Sequence, residues 1–199
     1  MPELPEVETT RRGIEPHIIH QTIKDVIVRN QALRWPVPKQ LRNRICGQKI
    51  KSVDRRGKYL LLSFDTGTVI IHLGMSGSLR ICTAGTTIEK HDHVDFILAN
   101  NKILRLRDPR RFGAVLWTAD DPAKHKLLSS LGPEPLEDDF NGRYLFEHSR
   151  KRSTSIKSLI MNSHIVVGVG NIYACESLFL SGINPKRKAG SLSLARCEK

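Results

Sequence analysis

Tyr59-Leu-Leu-Leu-Ser-Phe-Asp-Thr-Gly-Thr-Val-Ile-Ile-His-Leu73 decides how the first half of this 199-residue chain is read. Two apolar runs, Tyr59–Phe64 and Val69–Leu73, flank Asp65-Thr66-Gly67, whose residue types favour a tight turn. Similar runs lie on both sides. Ile23–Val28 precedes the pair. Leu79–Cys82, Val94–Leu98, Ile103–Leu106 and Ala114–Trp117 follow it, and Ile50 and Val53 mark a further strand. Gly74 to Gly77 and Asn100-Asn101 supply turns between them. Residues 1–120 are therefore expected to form an antiparallel β-sandwich or barrel.

Residues 4–13 read as a short helix leading into these strands. Pro5 suits its first turn, Glu6 and Glu8 its positive end, Arg11 and Arg12 its negative end, and Gly13 a stop. Residues 30–44 are mixed, with a loop at Trp35-Pro36-Val37-Pro38. Past Asp120 the pattern changes. Asp121-Pro122 starts a helix through Leu131 that Gly132-Pro133-Glu134-Pro135 breaks. Phe140–Ser149, Ser155–Met161 and Asn171–Leu180 read as further helices, with Gly182 stopping the last. The fold class is α+β, with a linker over 121–136 and a helical domain over 137–199. The stretch from Ser191 to Lys199 reads as a helix that begins and does not finish, leaving Leu192 and Leu194 without apolar partners.

Composition narrows the function. The chain holds 32 Lys and Arg against 20 Asp and Glu, a net charge of +12. Residues 1–121 carry +7 of it and residues 122–199 carry +5. A basic tail would load one end only; two basic halves suit a folded surface that neutralises a long polyanion. No apolar run is long enough to span a bilayer, and the acidic N-terminus lacks the apolar centre of a signal peptide. Cys46, Cys82, Cys175 and Cys197 are far apart, which argues against a disulfide framework or a cysteine-type zinc site. A reduced, cytoplasmic protein is expected.

Several segments could carry chemistry. Removal of Met1 would expose Pro2 as a secondary amine, partly neutral at pH 7 and able to attack an aldehyde-like sugar carbon. Glu3 and Glu6 are close enough in sequence to move protons there. From these residues alone, a solvated acidic helix start is the simpler account. Val166-Val-Gly-Val-Gly-Asn-Ile-Tyr173 lies between two helices, where Gly168 and Gly170 permit close approach and Asn171 could cap the second helix and help hold a phosphate. Arg110, Arg111 and Phe112 form a basic tip with a ring that could wedge into a base stack, or an ordinary basic loop. Met75 between glycines is an apolar probe or a buried side chain, and Lys58 sits before a strand, where a cleft or solvent could receive it. His91 and His93 lack further ligands, so no metal is expected.

Together these pieces resemble the bacterial formamidopyrimidine-DNA glycosylases. Met1-Pro-Glu-Leu-Pro-Glu-Val-Glu-Thr9, His72-Leu-Gly-Met-Ser-Gly77, Asp108-Pro-Arg-Arg-Phe-Gly113, Leu131-Gly-Pro-Glu-Pro135 and Gly168-Val-Gly-Asn-Ile-Tyr-Ala174 occur in order along nearly the whole chain. The sibling endonuclease VIII family shares the Pro-Glu start, but the Met-Ser-Gly and Pro-Arg-Arg-Phe-Gly segments favour the first.

The resemblance implies an antiparallel β-sandwich followed by a helix-two-turn-helix domain, and a monomeric enzyme of base excision repair acting on damaged double-stranded DNA. It implies excision of 8-oxoguanine and formamidopyrimidines through a Schiff base on Pro2, followed by β- and δ-elimination. Glu3 would donate a proton to the sugar and Glu6 would support it. Lys58, His72 and Asn171 would contact phosphates. Met75, Arg110 and Phe112 would fill the space left by the flipped nucleotide, with Arg111 beside them on DNA. No cofactor is implied within this chain. Family members continue past the position of Lys199 into a lesion-covering loop and a four-cysteine zinc finger, so the resemblance is to a C-terminally truncated member. The rival reading is a catalytically impaired fragment that only binds DNA.

Overall fold

The computed structural model describes residues 2–199; Met1, whose removal the sequence leads us to expect, lies outside the described residues. The chain forms two compact units that divide between His125 and Lys126.

The first unit is built from strands β1 (Ile23–Val28), β2 (Ser52–Arg56), β3 (Tyr59–Phe64), β4 (Gly67–His72), β5 (Ser78–Thr83), β6 (Asp92–Leu98), β7 (Lys102–Arg107) and β8 (Ala114–Thr118). They make two four-stranded antiparallel sheets, ordered β1-β6-β7-β5 and β2-β3-β4-β8. The opening stretch is the β3–β4 hairpin, paired from Tyr59 with His72 to Phe64 with Gly67. Leu60, Leu62 and Phe64 point inward at every second residue of β3, as a half-buried strand requires. They join Val94, Phe96, Leu104 and Leu106 of the other sheet in one continuous apolar core. The α+β class and the antiparallel sheets expected from the sequence are both observed.

Helix α1 (Leu4–Ile18) runs past the stop expected at Gly13 and carries Pro16 inside it. Tertiary packing overrides the local breakers. Val7, Ile14 and Ile18 are buried at helical spacing, so ending at Gly13 would pull Ile14 and Ile18 out of the core. Arg11 occupies the same face between Val7 and Ile14. Its guanidinium donates to Glu8, to Glu15 and to the Val53 carbonyl of β2 at 3.1 Å. Arg55 of β2 meets the same Glu8 at 3.1 Å. The mixed 30–44 segment ends in a short helix, α2 (Leu41–Ile45), which buries Leu41 and Ile45.

The second unit contains α3 (Gly142–Ser149), α4 (Ile156–Ile160), α5 (Asn171–Leu180) and α6 (Leu194–Cys197). The helix expected from Pro122 to Leu131 is only a 3₁₀ turn over Pro122–Lys124. Of the residues that follow up to Leu131, only Leu128 is buried, too little apolar surface to hold a helix. Helix α3 starts two residues later than expected because Asn141 accepts the Tyr144 N–H as its N-cap. Asn171 is the first residue of α5 rather than its cap; the extended Gly170 takes that place.

The C-terminal expectation also changes. Leu192 is 1% exposed and belongs to the second core with Ile156, Leu159, Val166 and Leu178, while Leu194 is half-buried. Arg150 holds this turn by donating to the Leu192 carbonyl at 2.6 Å. Exposed apolar side chains are found instead on α5, at Phe179 and Leu180, and before α3, at Leu136.

Arg11, Arg12 and Arg55 hold the Glu8 carboxyl down at about 2, from a reference of 4.5. A carboxylate with a lowered folded pKa stabilises the protein above the unfolded value and loses that contribution as pH falls toward the folded value. Glu8→Gln should therefore unfold at a lower temperature than the wild type near pH 6. The difference should shrink as the pH falls from about 4.5 to about 2. Thermal melts by circular dichroism across that range check this; a difference independent of pH would contradict it.

Candidate functional site

The N-terminal group is assembled by α1. Pro2 is half-buried, and Glu3, the residue before the helix, is 2% exposed. Glu6, one turn on, accepts the Glu3 N–H at 2.9 Å. That bond satisfies a helix-start donor that has no intrahelical partner. Lys58 approaches from the other side of the sequence. It occupies the two-residue β2–β3 turn, where Gly57 adopts φ 56°, a conformation suited to a primed hairpin turn. Lys58 is half-buried, and burial lowers its pKa while the charges of Glu3 and Glu6 pull it back up. The fold thus joins Lys58 electrostatically to two carboxylates more than fifty residues away in sequence. The neighbouring Glu8–Arg55 pair at 3.1 Å and the Arg11 bond to the Val53 carbonyl at 3.1 Å help fix how α1 meets this hairpin.

A second group lies in the same unit. Ala32, Leu33, Arg34, His72, Gly74, Met75, Arg110, Arg111 and Phe112 line a groove of about 730 Å³. Met75 and Phe112 are 41% and 44% exposed, so neither is a core side chain. Arg110 stacks over the Phe112 ring at 4.8 Å, and Arg111 sits at φ 57°, in the left-handed region. Such a backbone costs about 1 kcal/mol or more and persists only where its surroundings impose it.

Asp108 imposes it. This carboxylate is fully buried, yet the sequence reading quoted it only as part of a motif. Its Oδ1 accepts from Ser76 Oγ at 2.7 Å and its Oδ2 from Gly113 N–H at 2.7 Å. Its carbonyl accepts the Arg111 N–H at 3.2 Å and contacts His93 Nε2 at 2.8 Å. The Arg110 N–H donates to Ser76 Oγ at 3.1 Å. One acid therefore ties the loop carrying Met75 to the loop carrying Arg110, Arg111 and Phe112. His93 reaches it because β6 carries an extra residue against β7 between Asp92 and Val94. The histidine pair set aside as a metal site is thus partly explained as support for this loop. Among the described residues, no group of three metal-ligating side chains occurs.

Gly74 completes the junction. It takes φ 64°, and a Cβ there would lie 2.4 Å from the Phe112 carbonyl carbon. His72 accepts the Gly74 N–H on Nδ1 at 3.0 Å, so its ring proton sits on Nε2. Burial, then Arg34 and Lys58, push the His72 pKa down to about 4. It is therefore a neutral N–H donor at neutral pH rather than a cation.

In the second unit, Asn171 is exposed at the start of α5, after the turns that follow α4. Ile172 and Tyr173 beside it are also exposed. Of the residues expected to act, Pro2, Glu3, Glu6 and Lys58 form one group. His72, Met75, Arg110, Arg111 and Phe112 form another, with Lys58 within the field of His72. Asp108, Ser76 and Arg34 were not singled out by sequence. The only hint was the Asp-Pro pair opening the basic loop.

Comparison with known proteins follows the same division. The formamidopyrimidine-DNA glycosylase N-terminal domain model matches residues 1–115, and the formamidopyrimidine-DNA glycosylase H2TH domain model matches residues 131–199. The formamidopyrimidine-DNA glycosylase of Nitrosococcus oceani is 59% identical over 199 residues, covering all of this chain and 73% of that protein. That of Shigella dysenteriae is 60% identical over 198 residues, with the same coverage. The Lactococcus lactis enzyme bound to DNA containing an AP site superposes with a TM-score of 0.91 at 33% identity, over 98% of this chain and 75% of that one. Its complex with DNA containing N7-benzyl-Fapy-dG gives 0.92 at 34% identity, over 98% and 73%. Fold, site loops and relatives agree from end to end: the chain belongs to the formamidopyrimidine-DNA glycosylase family.

Proposed function

We propose that this chain excises oxidised purines, 8-oxoguanine and formamidopyrimidines, from double-stranded DNA and then cuts the strand as an abasic-site lyase. The observation that carries the reading is the group at the start of α1: Pro2 beside buried Glu3, Glu6 on the Glu3 N–H, and half-buried Lys58 in the field of both acids. The family's solved complexes with AP-site and Fapy-dG DNA support the substrate class.

The chemistry follows from a secondary amine. An unperturbed α-amino group has a pKa of about 8, so part of it is neutral at pH 7. The Pro2 nitrogen attacks the sugar C1′, and the glycosidic bond pair leaves with the base, which takes up a proton. Glu3 protonates the ring oxygen, opening the sugar to an iminium Schiff base. Loss of a C2′ proton expels the 3′ phosphate, and loss of a second proton expels the 5′ phosphate. Water then releases Pro2. The amine chemistry requires no metal or organic cofactor.

The groove serves the other side of the reaction. The damaged nucleotide leaves the stack, and Met75 and Phe112 occupy the vacated space. Arg110 faces the orphaned cytosine, and Arg111 adds charge against the backbone. Lys58 and His72 hold phosphates near the lesion, His72 through its neutral Nε2–H, and Asn171 is a further phosphate contact. The chain acts as a monomer in the cytoplasm, on chromosomal DNA.

Borohydride trapping on a duplex with 8-oxoguanine opposite cytosine tests the chemistry. A covalent protein–DNA adduct is expected, and it should vanish when the N-terminal amine is acetylated or the N-terminus is extended, since either change removes the free amine from Pro2. No adduct, with salt-sensitive duplex binding retained, would favour a protein that only binds DNA. Asp108→Asn tests the loop. An amide cannot accept from both Ser76 and Gly113, so it should cost about 2 kcal/mol in urea unfolding. The folded variant should also trap the lesion more slowly, while adduct formation on a pre-formed abasic site changes less. Equal slowing on both substrates would argue against a role for the loop in lesion capture.

A further inference from the structure

Arg34 is exposed on the rim of the groove, with His72, Met75, Arg110 and Phe112. Four features hold it there. Leu33 and Val37 on either side are buried, at 7% and 1% exposure, so the 31–37 turn is anchored in the core. The N–H groups of both residues donate to the Gln31 carbonyl at 3.0 Å. The Arg34 N–H donates to the Gly113 carbonyl at 3.0 Å, strapping this turn to the loop that Asp108 organises. The guanidinium lies over the Trp35 ring at 4.7 Å, which orients its flat fork. Among the described residues, no carboxylate pairs with it.

A positioned guanidinium without a carboxylate, in a groove already rich in arginine, suits a diffuse anion. We propose that Arg34 is a DNA-phosphate ligand on the rim of the Met75–Phe112 groove, additional to Lys58, His72 and Asn171. The proposal rests on the DNA-binding part of the reading above. A guanidinium fork matches phosphate geometry with two parallel hydrogen bonds. Arg34 also depresses the His72 pKa, ahead of Lys58, so a positive field reaches into the groove. A phosphate seated on Arg34 would sit beside the site where Met75 and Phe112 enter the stack. It would add affinity without reading sequence.

The test is the salt dependence of duplex binding by the whole chain, wild type against Arg34→Gln and Arg34→Lys. Each phosphate contact contributes about 0.9 to the slope of log K against log salt. Loss of one contact means that, between 50 and 200 mM salt, the wild type should lose about 3.5-fold more affinity than Arg34→Gln. Arg34→Lys should keep the wild-type slope but bind more weakly, because an ammonium neither forks nor stacks on Trp35 in the same way. The loss should be the same on undamaged and lesion-containing duplexes. An unchanged slope in Arg34→Gln, or a loss confined to one opposite base, would overturn the proposal. Borohydride trapping with the wild type reports separately on the chemistry. A wild type that binds duplex but forms no adduct overturns the glycosylase reading and leaves Arg34 to be decided by its slope.

Discussion

The Glu8 carboxylate is the contact on which the N-terminal end of α1 depends. It receives hydrogen bonds from Arg11 at 2.9 Å, Arg12 at 2.8 Å and Arg55 at 3.1 Å. The first two belong to its own helix and the third to β2. Arg11 also reaches the β2 backbone at Val53. The acid therefore fixes the rotation and height of α1 on the sheet. Glu3 and Glu6 lie at the N-terminal end of that helix, and Lys58 lies three residues past Arg55. Moving α1 by one residue would separate the acids from the lysine. A half-buried site of this kind keeps its charges close because solvent does not screen them fully.

A second acid does for the groove what Glu8 does for the helix. Asp108 is buried with both oxygens occupied, and it couples two loops whose tips carry exposed apolar and cationic side chains. Exposed Met75 and Phe112 have no folding reason to be outside, since apolar area in water weakens stability. Rigid support beneath them makes that exposure usable, because loops held by buried hydrogen bonds meet a partner with little ordering left to do. The strap from Arg34 to Gly113 extends the same support to a third segment.

The parts legible in sequence were those governed by local rules. The apolar run Tyr59–Phe64 and the Asp65-Thr66-Gly67 turn marked the strand and its hairpin, while its inward face emerged only in the fold. Asn171–Leu180 read correctly as a helix from its composition. The misreadings share one cause. Gly13 and Pro16 are local breakers, but buried Ile14 and Ile18 carried α1 through them. Pro122 promised a helix that found almost nothing to pack against. Leu192 looked orphaned because its partners, Ile156 and Leu178, are distant in sequence. The exposed apolar surface of Phe179 and Leu180 lay within a helix that was otherwise read correctly.

Sequence by itself determined the family, the α+β class and the basic character. These depend on residue type and order, and five motifs in register carry them. The tertiary structure alone decided which groups meet. It placed Lys58 in the field of Glu3 and Glu6, set the proton of His72 on Nε2, and brought Arg34 to the Met75–Phe112 groove. It also gave Asp108 its role beneath two loops. The physical reason is that proximity, burial and hydrogen-bond partners are properties of folded space. Residues far apart in the chain acquire a shared field and a shared pKa only when the sheets and α1 bring them together.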